Sequence, residues 1–216
     1  MTVENRLRVW DAPTRLVHWL IVASVSFAWW AAETHRMDWH RYAGYTLLGL
    51  LTFRLYWGLA GSTTSRFAHF VRSPGMVWRY LRDGATKVWI GHNPIGGWSA
   101  LALLATLIAQ VTLGLFTVDV DGIESGPLSH LVSFDVGREC AKWHHKVFDV
   151  LLALIVLHLA AIAFYGLVKR NNLVAPMITG WKKVKDLPVD TLKFASWWNA
   201  LVGIAVASGV VWWLTQ

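Results

Sequence analysis

The sequence predicts an all-α integral membrane protein: a bundle of four transmembrane helices with a fifth transmembrane helix at the C-terminus. Three observations carry this. Of the 216 residues, 55% are hydrophobic and only 15% charged, and the mean hydropathy is +0.41, outside the usual soluble range. There are fifteen tryptophans, and indoles collect at the membrane–water boundary. The net charge of +7 is scattered between apolar runs, which argues for membrane orientation and against a nucleic-acid partner.

A spanning helix needs about 20 mostly apolar residues. The first such stretch is 16–32. Trp10 to Arg15 precede it with no small-residue cleavage site, so it does not read as a cleavable signal. The second is 39–60, the third 97–118 and the fourth 143–168. The fifth, Trp197–Leu214, is the shortest, and the tryptophan pairs at its two ends mark two interfacial belts. On this map residues 1–182 form one transmembrane domain, and 183–216 hold a linker and the extra helix. Between 67 and 81, Arg72, Arg79 and Arg82 flank apolar residues and Trp78, which predicts an interfacial helix.

The basic residues set the orientation. Arg6, Arg8 and Arg15 precede the first span. Arg66, Arg72, Arg79, Arg82 and Lys87 follow the second, and Lys169, Arg170, Lys182, Lys183, Lys185 and Lys193 follow the fourth. The opposite side counts only Arg36, Arg138 and Lys142. Fourteen against three places the N-terminus in the cytoplasm and the C-terminus outside. The loop between spans three and four then lies outside, and its acids (Asp119, Asp121, Glu124, Asp135, Glu139) suit a surface that meets a partner.

Imidazole is costly in hydrocarbon, so each histidine within a span needs a reason. His35, His69, His92 and His130 fall in or near loops and are expected to be solvated. His18, His40, His144, His145 and His158 belong to spans one, two and four. His18 and His158 lie towards the cytoplasmic side, and His40 and His144 open their spans from outside. Fourteen residues separate His144 from His158, about 21 Å of helix rise, and return the side chain to within about 40° of its starting direction. His145 is rotated away by about 100°, leaving His144 as the inward residue. The result is two depth-matched pairs. Zinc sites usually want three or four protein ligands. Two nitrogens per level instead suit a planar tetrapyrrole, whose iron needs only two axial imidazoles. The chain is therefore expected to hold two haem b groups. The single Cys140 excludes an internal disulfide, a paired-cysteine haem attachment and a cysteine-held iron–sulfur cluster, so the haems are non-covalent.

Other residues on the same stripes fit. Gly44 stands one turn from His40, where a missing side chain would admit a flat macrocycle, although close helix packing explains a glycine equally well. Arg54 lies 14 residues after His40, at the depth of the cytoplasmic haem. No acid of another span sits obviously at that level, so a haem propionate is its expected partner, with snorkelling to the inner interface as the other reading. Asp149 is positioned to pair with His145, and Gln110 to hydrogen-bond between helices.

At these residues the chain resembles a known family. RLVHW at 15–19, WHRYAGY at 39–45, RLYWGLAGSTTSRF at 54–67, GHNPIGGW at 91–98 and WHH followed by LH at 143–158 are its motifs, and NLVAPMITG at 172–180 matches the tail after the fourth span. They resemble the bacterial di-haem membrane cytochromes b, the cytochrome b561 group that includes the B-type cytochrome subunit of nickel–iron hydrogenases. The resemblance implies a four-helix bundle with two b haems in the bacterial inner membrane. His18 and His158 would ligate the cytoplasmic haem, and His40 and His144 the outer one. It also implies electron exchange between membrane quinone and a periplasmic partner, a c-type cytochrome or a dehydrogenase or hydrogenase. Two other readings stand beside it. One is a self-contained quinone-linked oxidoreductase fed by a small outside reductant such as superoxide, for which Arg36, Arg41 and Lys146 are candidates. The other is non-redox, a membrane anchor or metal transporter.

Overall fold

Polar side chains cap the starts of three long helices. The computed structural model describes residues 5–83, 89–121, 123–184 and 192–216; Lys87, Lys185 and the linker stretch 185–191 lie outside the described residues. A short strand, β1 (Asn5–Arg8), leads to α1 (Ala12–Glu33). There the Asp11 carboxylate accepts from the Thr14 backbone N–H at 2.8 Å, with Pro13 in the first turn. A three-residue link, in which His35 takes a φ of 55°, turns the chain into α2 (Met37–Ala60). Two short helices, α3 (Phe67–Phe70) and α4 (Pro74–Arg82), follow. Asn93 caps α5 (Pro94–Leu115), accepting from the Gly96 N–H at 2.7 Å, and Ser133 caps α6 (Phe134–Leu167). The chain ends with α7 (Val174–Thr179), β2 (Trp181–Val184) and α8 (Trp197–Leu214).

α2 is the hub. On one side Phe53 and Trp57 pack with Val17 of α1 and with Ala200 and Ala207 of α8. On the other, Leu47 and Leu51 pack with Leu107 and Val111 of α5 and Leu151 of α6. Among the described residues, four helices are long and apolar enough to cross a membrane: α1, α5, α6 and α8. α2 is not among them, although its 24 residues rise about 36 Å. Being flanked by α1, α5 and α8, it can carry Arg54 half-buried among its neighbours. α8 lies flush against α2 because Gly203 has no side chain: a Cβ there would come within 2.7 Å of the Tyr56 ring.

The helix bounds correct the expected spans. α6 begins at Phe134, nine residues before the expected start at Trp143, and its 34 residues rise about 51 Å, well beyond the bilayer core of about 30 Å. Its first turns, with Asp135, Arg138 and Glu139, are polar and project past the apolar zone. The interfacial segment is two helices, because the chain from Val71 to Ser73 is extended before Pro74. One feature departs from all-α: β1 pairs antiparallel with β2, Arg8 opposite Trp181 and Asn5 opposite Val184. This ribbon ties the stretch after α6 back to the N-terminus. Arg15 Nη1 donates to the Ile178 carbonyl and Trp19 Nε1 to that of Met177, which holds α7 against α1.

Candidate functional site

At the end of the bundle opposite the N-terminus, His40 and His144 meet with ring centres 6.0 Å apart and planes at 79°. Each is held from behind in the same way. His40 Nδ1 lies 2.9 Å from the Ala28 carbonyl of α1, and His144 Nδ1 lies 2.9 Å from the Gln110 carbonyl of α5. A carbonyl only accepts, so Nδ1 carries the proton in both rings and each neutral imidazole keeps its lone pair on Nε2. That is the arrangement by which metal-binding histidines are oriented. Two imidazoles on opposite faces of one metal, with bonds of about 2 Å, have ring centres roughly 6 Å apart.

The pair opens into a cavity of about 510 Å³, lined by residues of α1, α2, α5 and α6 and by the loop residues 117–119 and 124–127. Gly44 lines it. A Cβ built on Gly44 meets no atom within 4 Å, so this glycine borders space and is not a helix-packing contact. Gly114 does the reverse: a Cβ there would stand 3.0 Å from His144 Cε1, so its bare Cα makes room for the imidazole. His35, Arg41 and Arg138 line the same cavity, together with the acids Glu33, Asp119 and Glu124. Among the described residues, no group of three or more His, Cys, Asp or Glu could hold a bare metal ion. Paired nitrogens with fixed tautomers and a glycine beside open space fit a haem, with Arg138 as a cation within the lining.

At the N-terminal end, His18 of α1 and His158 of α6 lie within electrostatic range of each other, and His18 stacks edge-on with Trp19 at 5.2 Å. His92 joins them. Expected to be a solvated loop residue, it is instead packed between the rings of Trp10 (5.0 Å) and Phe70 (4.8 Å), and its Nδ1 is buried without a partner. The turn that carries it inward uses Gly91 at a φ of 78°. Burial, with the nearby charges of Arg54, His158 and His18, pushes the His92 imidazole down to about 4. Arg54 is half-buried; its Nη1 donates to the Ser65 carbonyl at 3.3 Å, and its guanidinium lies over Phe67 and Phe70. An acid does reach this level: Asp11, buried at the cap of α1, is within electrostatic range of Arg54. Asp11 was legible as a helix cap but not as a neighbour of Arg54.

A second polar cluster was not foreseen. Tyr80 of α4 and Tyr165 of α6 hydrogen-bond through their hydroxyls at 2.9 Å, and Asn93 Nδ2 donates to Tyr165 at 2.8 Å. Burial, reinforced by the Tyr165 hydroxyl, raises the Tyr80 phenol and keeps it protonated. Elsewhere the expected pairing of Asp149 with His145 is not made: both side chains are exposed on α6. Arg41 pairs with Asp38 at 2.5 Å, Arg36 lies over Trp30 and Lys146 over Trp143, so each of these cations is engaged by its own neighbour.

A family model described as prokaryotic cytochrome b561 matches residues 9–180. The probable Ni/Fe-hydrogenase B-type cytochrome subunit of Azotobacter chroococcum mcd 1 is 23% identical over 218 residues, spanning 85% of this chain and 91% of that protein. Its counterpart from Azotobacter vinelandii is 22% identical over the same shares. That of Bradyrhizobium diazoefficiens is 19% identical, over 82% of this chain and 86% of its own. No solved structure matches the chain. The family match takes in all four paired histidines and stops short of α8.

Proposed function

The chain belongs to the prokaryotic cytochrome b561 family, and from that premise we propose a di-haem conduit that moves electrons between membrane quinone and a periplasmic redox partner. The general part follows from membership: a multi-pass membrane b-type cytochrome of electron transfer. The rest is our reading. His40 and His144 hold the outer haem, and His18 and His158 the inner one. The chain sits in the bacterial cytoplasmic membrane with its N-terminus inside.

The observation that carries this is the matched pair of Nδ1–carbonyl bonds behind His40 and His144, which leaves two Nε2 lone pairs for one metal. When bound, haem would supply a one-electron iron couple, held at each level by the two histidines named above. The chain's own residues do the rest. Gly44 leaves space for the macrocycle edge. Arg138 would offer charge to the carboxylates of the outer group and Arg54 to those of the inner one, and apolar side chains keep water out. His144 and His158 share α6, so electrons cross along one rigid helix. At the inner end the protonated Tyr80, Tyr165 and Asn93 provide hydrogen-bond donors suited to a quinone carbonyl, two turns beyond His158. On the outer side the partner is a c-type cytochrome or a hydrogenase-like dehydrogenase, as the names of the relatives suggest.

The test is a reduced-minus-oxidised spectrum with a pyridine haemochrome assay on the detergent-purified protein. Two b haems per chain are expected, with His40→Ala removing one and sparing the other; a colourless or mono-haem protein refutes the assignment. Reoxidation of the reduced protein by a ubiquinone or menaquinone analogue within seconds checks the quinone step.

A further inference from the structure

α1 and α8 both pack on α2 rather than on each other, which leaves a trough of about 1200 Å³ between them. Of its described lining, only Tyr45 also borders the His40–His144 cavity. Leu50 and Phe53 of α2 form the floor, Leu16 and Leu20 of α1 one wall, and Ile204 and Val211 of α8 the other. The lining runs from Trp197 to Thr215, the whole length of α8. That is about 27 Å of rise, against a bilayer core of about 30 Å.

The two ends differ in charge. Tyr42, Trp212 and Thr215 close one end with uncharged groups, whereas Arg15, Trp19 and Trp197 border the end nearer the N-terminus. Among the described lining residues, Arg15 is the single Lys, Arg, Asp or Glu. Its Nη1 donates to the Ile178 carbonyl, and no described carboxylate forms an ion pair with it. The β1–β2 ribbon at the same end adds Arg6, Arg8, Lys182 and Lys183, and its strands contain no acid.

We propose that this trough binds one anionic phospholipid, with its phosphate on Arg15 and an acyl chain between α1 and α8. A guanidinium with N–H groups to spare takes a phosphate through two parallel bonds. An apolar channel of bilayer height takes hydrocarbon, and Trp19 and Trp197 suit the headgroup level. A second copy of this chain fits less well, because its α8 has no acid to meet Arg15. A quinone head brings no charge. The lipid fills the packing that α1 and α8 do not make with each other, and so couples the fifth helix to the bundle. α8 lies beyond the residues that the family model matches, and the site is independent of the haem ligands.

The experiment is native mass spectrometry of the holoprotein, washed of loosely held lipid in detergent and offered phosphatidylglycerol or phosphatidylcholine. The wild type is expected to retain one phosphatidylglycerol per chain. It should prefer that lipid by about five-fold, the contribution of one basic residue at a membrane surface. Arg15→Gln should abolish the preference, and Arg15→Lys should restore most of it. Ile204→Trp should expel either lipid: Ile204 is 53% exposed, so the larger ring enters the trough and not the contact with α2. Leu157→Trp, on an exposed face of α6 outside the trough, should change nothing. No phospholipid on the wild type, equal retention by Ile204→Trp, or a preference unaltered in Arg15→Gln overturns the proposal. So does a retained quinone in the lipid's place, or a wild-type dimer that Ile204→Trp converts to monomer. Haem is counted separately by pyridine haemochrome, so a failure of the ligand assignment leaves this result untouched.

Discussion

The Trp57 indole donates to the Asp11 carboxylate at 3.0 Å, so the group that caps α1 also anchors the buried end of α2. Trp57 is 1% exposed and Asp11 4%. Asp11→Ala removes a helix cap, worth about 1 kcal/mol, and strands a buried indole N–H at a cost of about 1–3 kcal/mol. A loss of about 2–4 kcal/mol is expected in a denaturation titration in mixed detergent. Asp11→Asn, which keeps a capping oxygen, should lose less. Equal stability of all three proteins would show that the two bonds are not coupled to folding.

Gly44 and Gly114 predict opposite costs for the same added methyl. Gly44→Ala points into open space, so the polypeptide tolerates it and gains up to about 1 kcal/mol of helix propensity. What it should lose is occupancy of the outer haem, read from the haem-to-protein ratio. Gly114→Ala sets a methyl 3.0 Å from His144 Cε1 and forces the ring to move by a few tenths of an ångström. Haem content should hold while the ferric resonance signal of that one haem shifts. A change confined to the other haem would contradict the placement of both glycines.

His92 makes stability pH-dependent. Its imidazole titrates near 4 folded and near 6.5 unfolded. Between these values the unfolded state binds the extra proton, so stability is intact above about pH 6.5 and falls as the pH drops towards 4, by up to ~3 kcal/mol. Melting curves from pH 7.5 to 4.5 should show this slope, and His92→Phe should flatten it. A slope unaltered by the substitution would assign it to other groups.

Gly203 tests whether α8 belongs to the redox core. Gly203→Leu cannot fit against Tyr56 and Phe53, whose ring atoms would lie 2.7 and 2.9 Å from the new Cβ. A destabilisation of about 1–3 kcal/mol is expected from overpacking. Both haems and their potentials should be unchanged, because α8 packs on the face of α2 away from α5. Loss of haem would make the fifth helix part of the cofactor site.

Some features were legible before folding because they are local. The bounds of α8 follow from its tryptophan pairs, and the inward stripe of His144 and His158 from helix periodicity alone. Others were written in the chain but outweighed. Ser133 and Asp135 are start signals for α6, yet Trp143 reads as the interface, because a hydropathy pattern marks where a helix meets lipid and not where it begins. His92 shows a different limit: nothing within its loop says that Gly91 will turn it between Trp10 and Phe70.

Composition, hydropathy and histidine spacing were sufficient for a membrane helical bundle with imidazoles at two depths, since hydrophobicity and helical pitch are properties of neighbouring residues. Folding had to decide which nitrogen of His40 and of His144 meets a backbone carbonyl, that Gly44 borders a cavity while Gly114 borders a ring, and that Gln110 touches His144. Those outcomes join residues tens of positions apart, and a hydrogen bond between two helices exists only once their packing has set the distance between them.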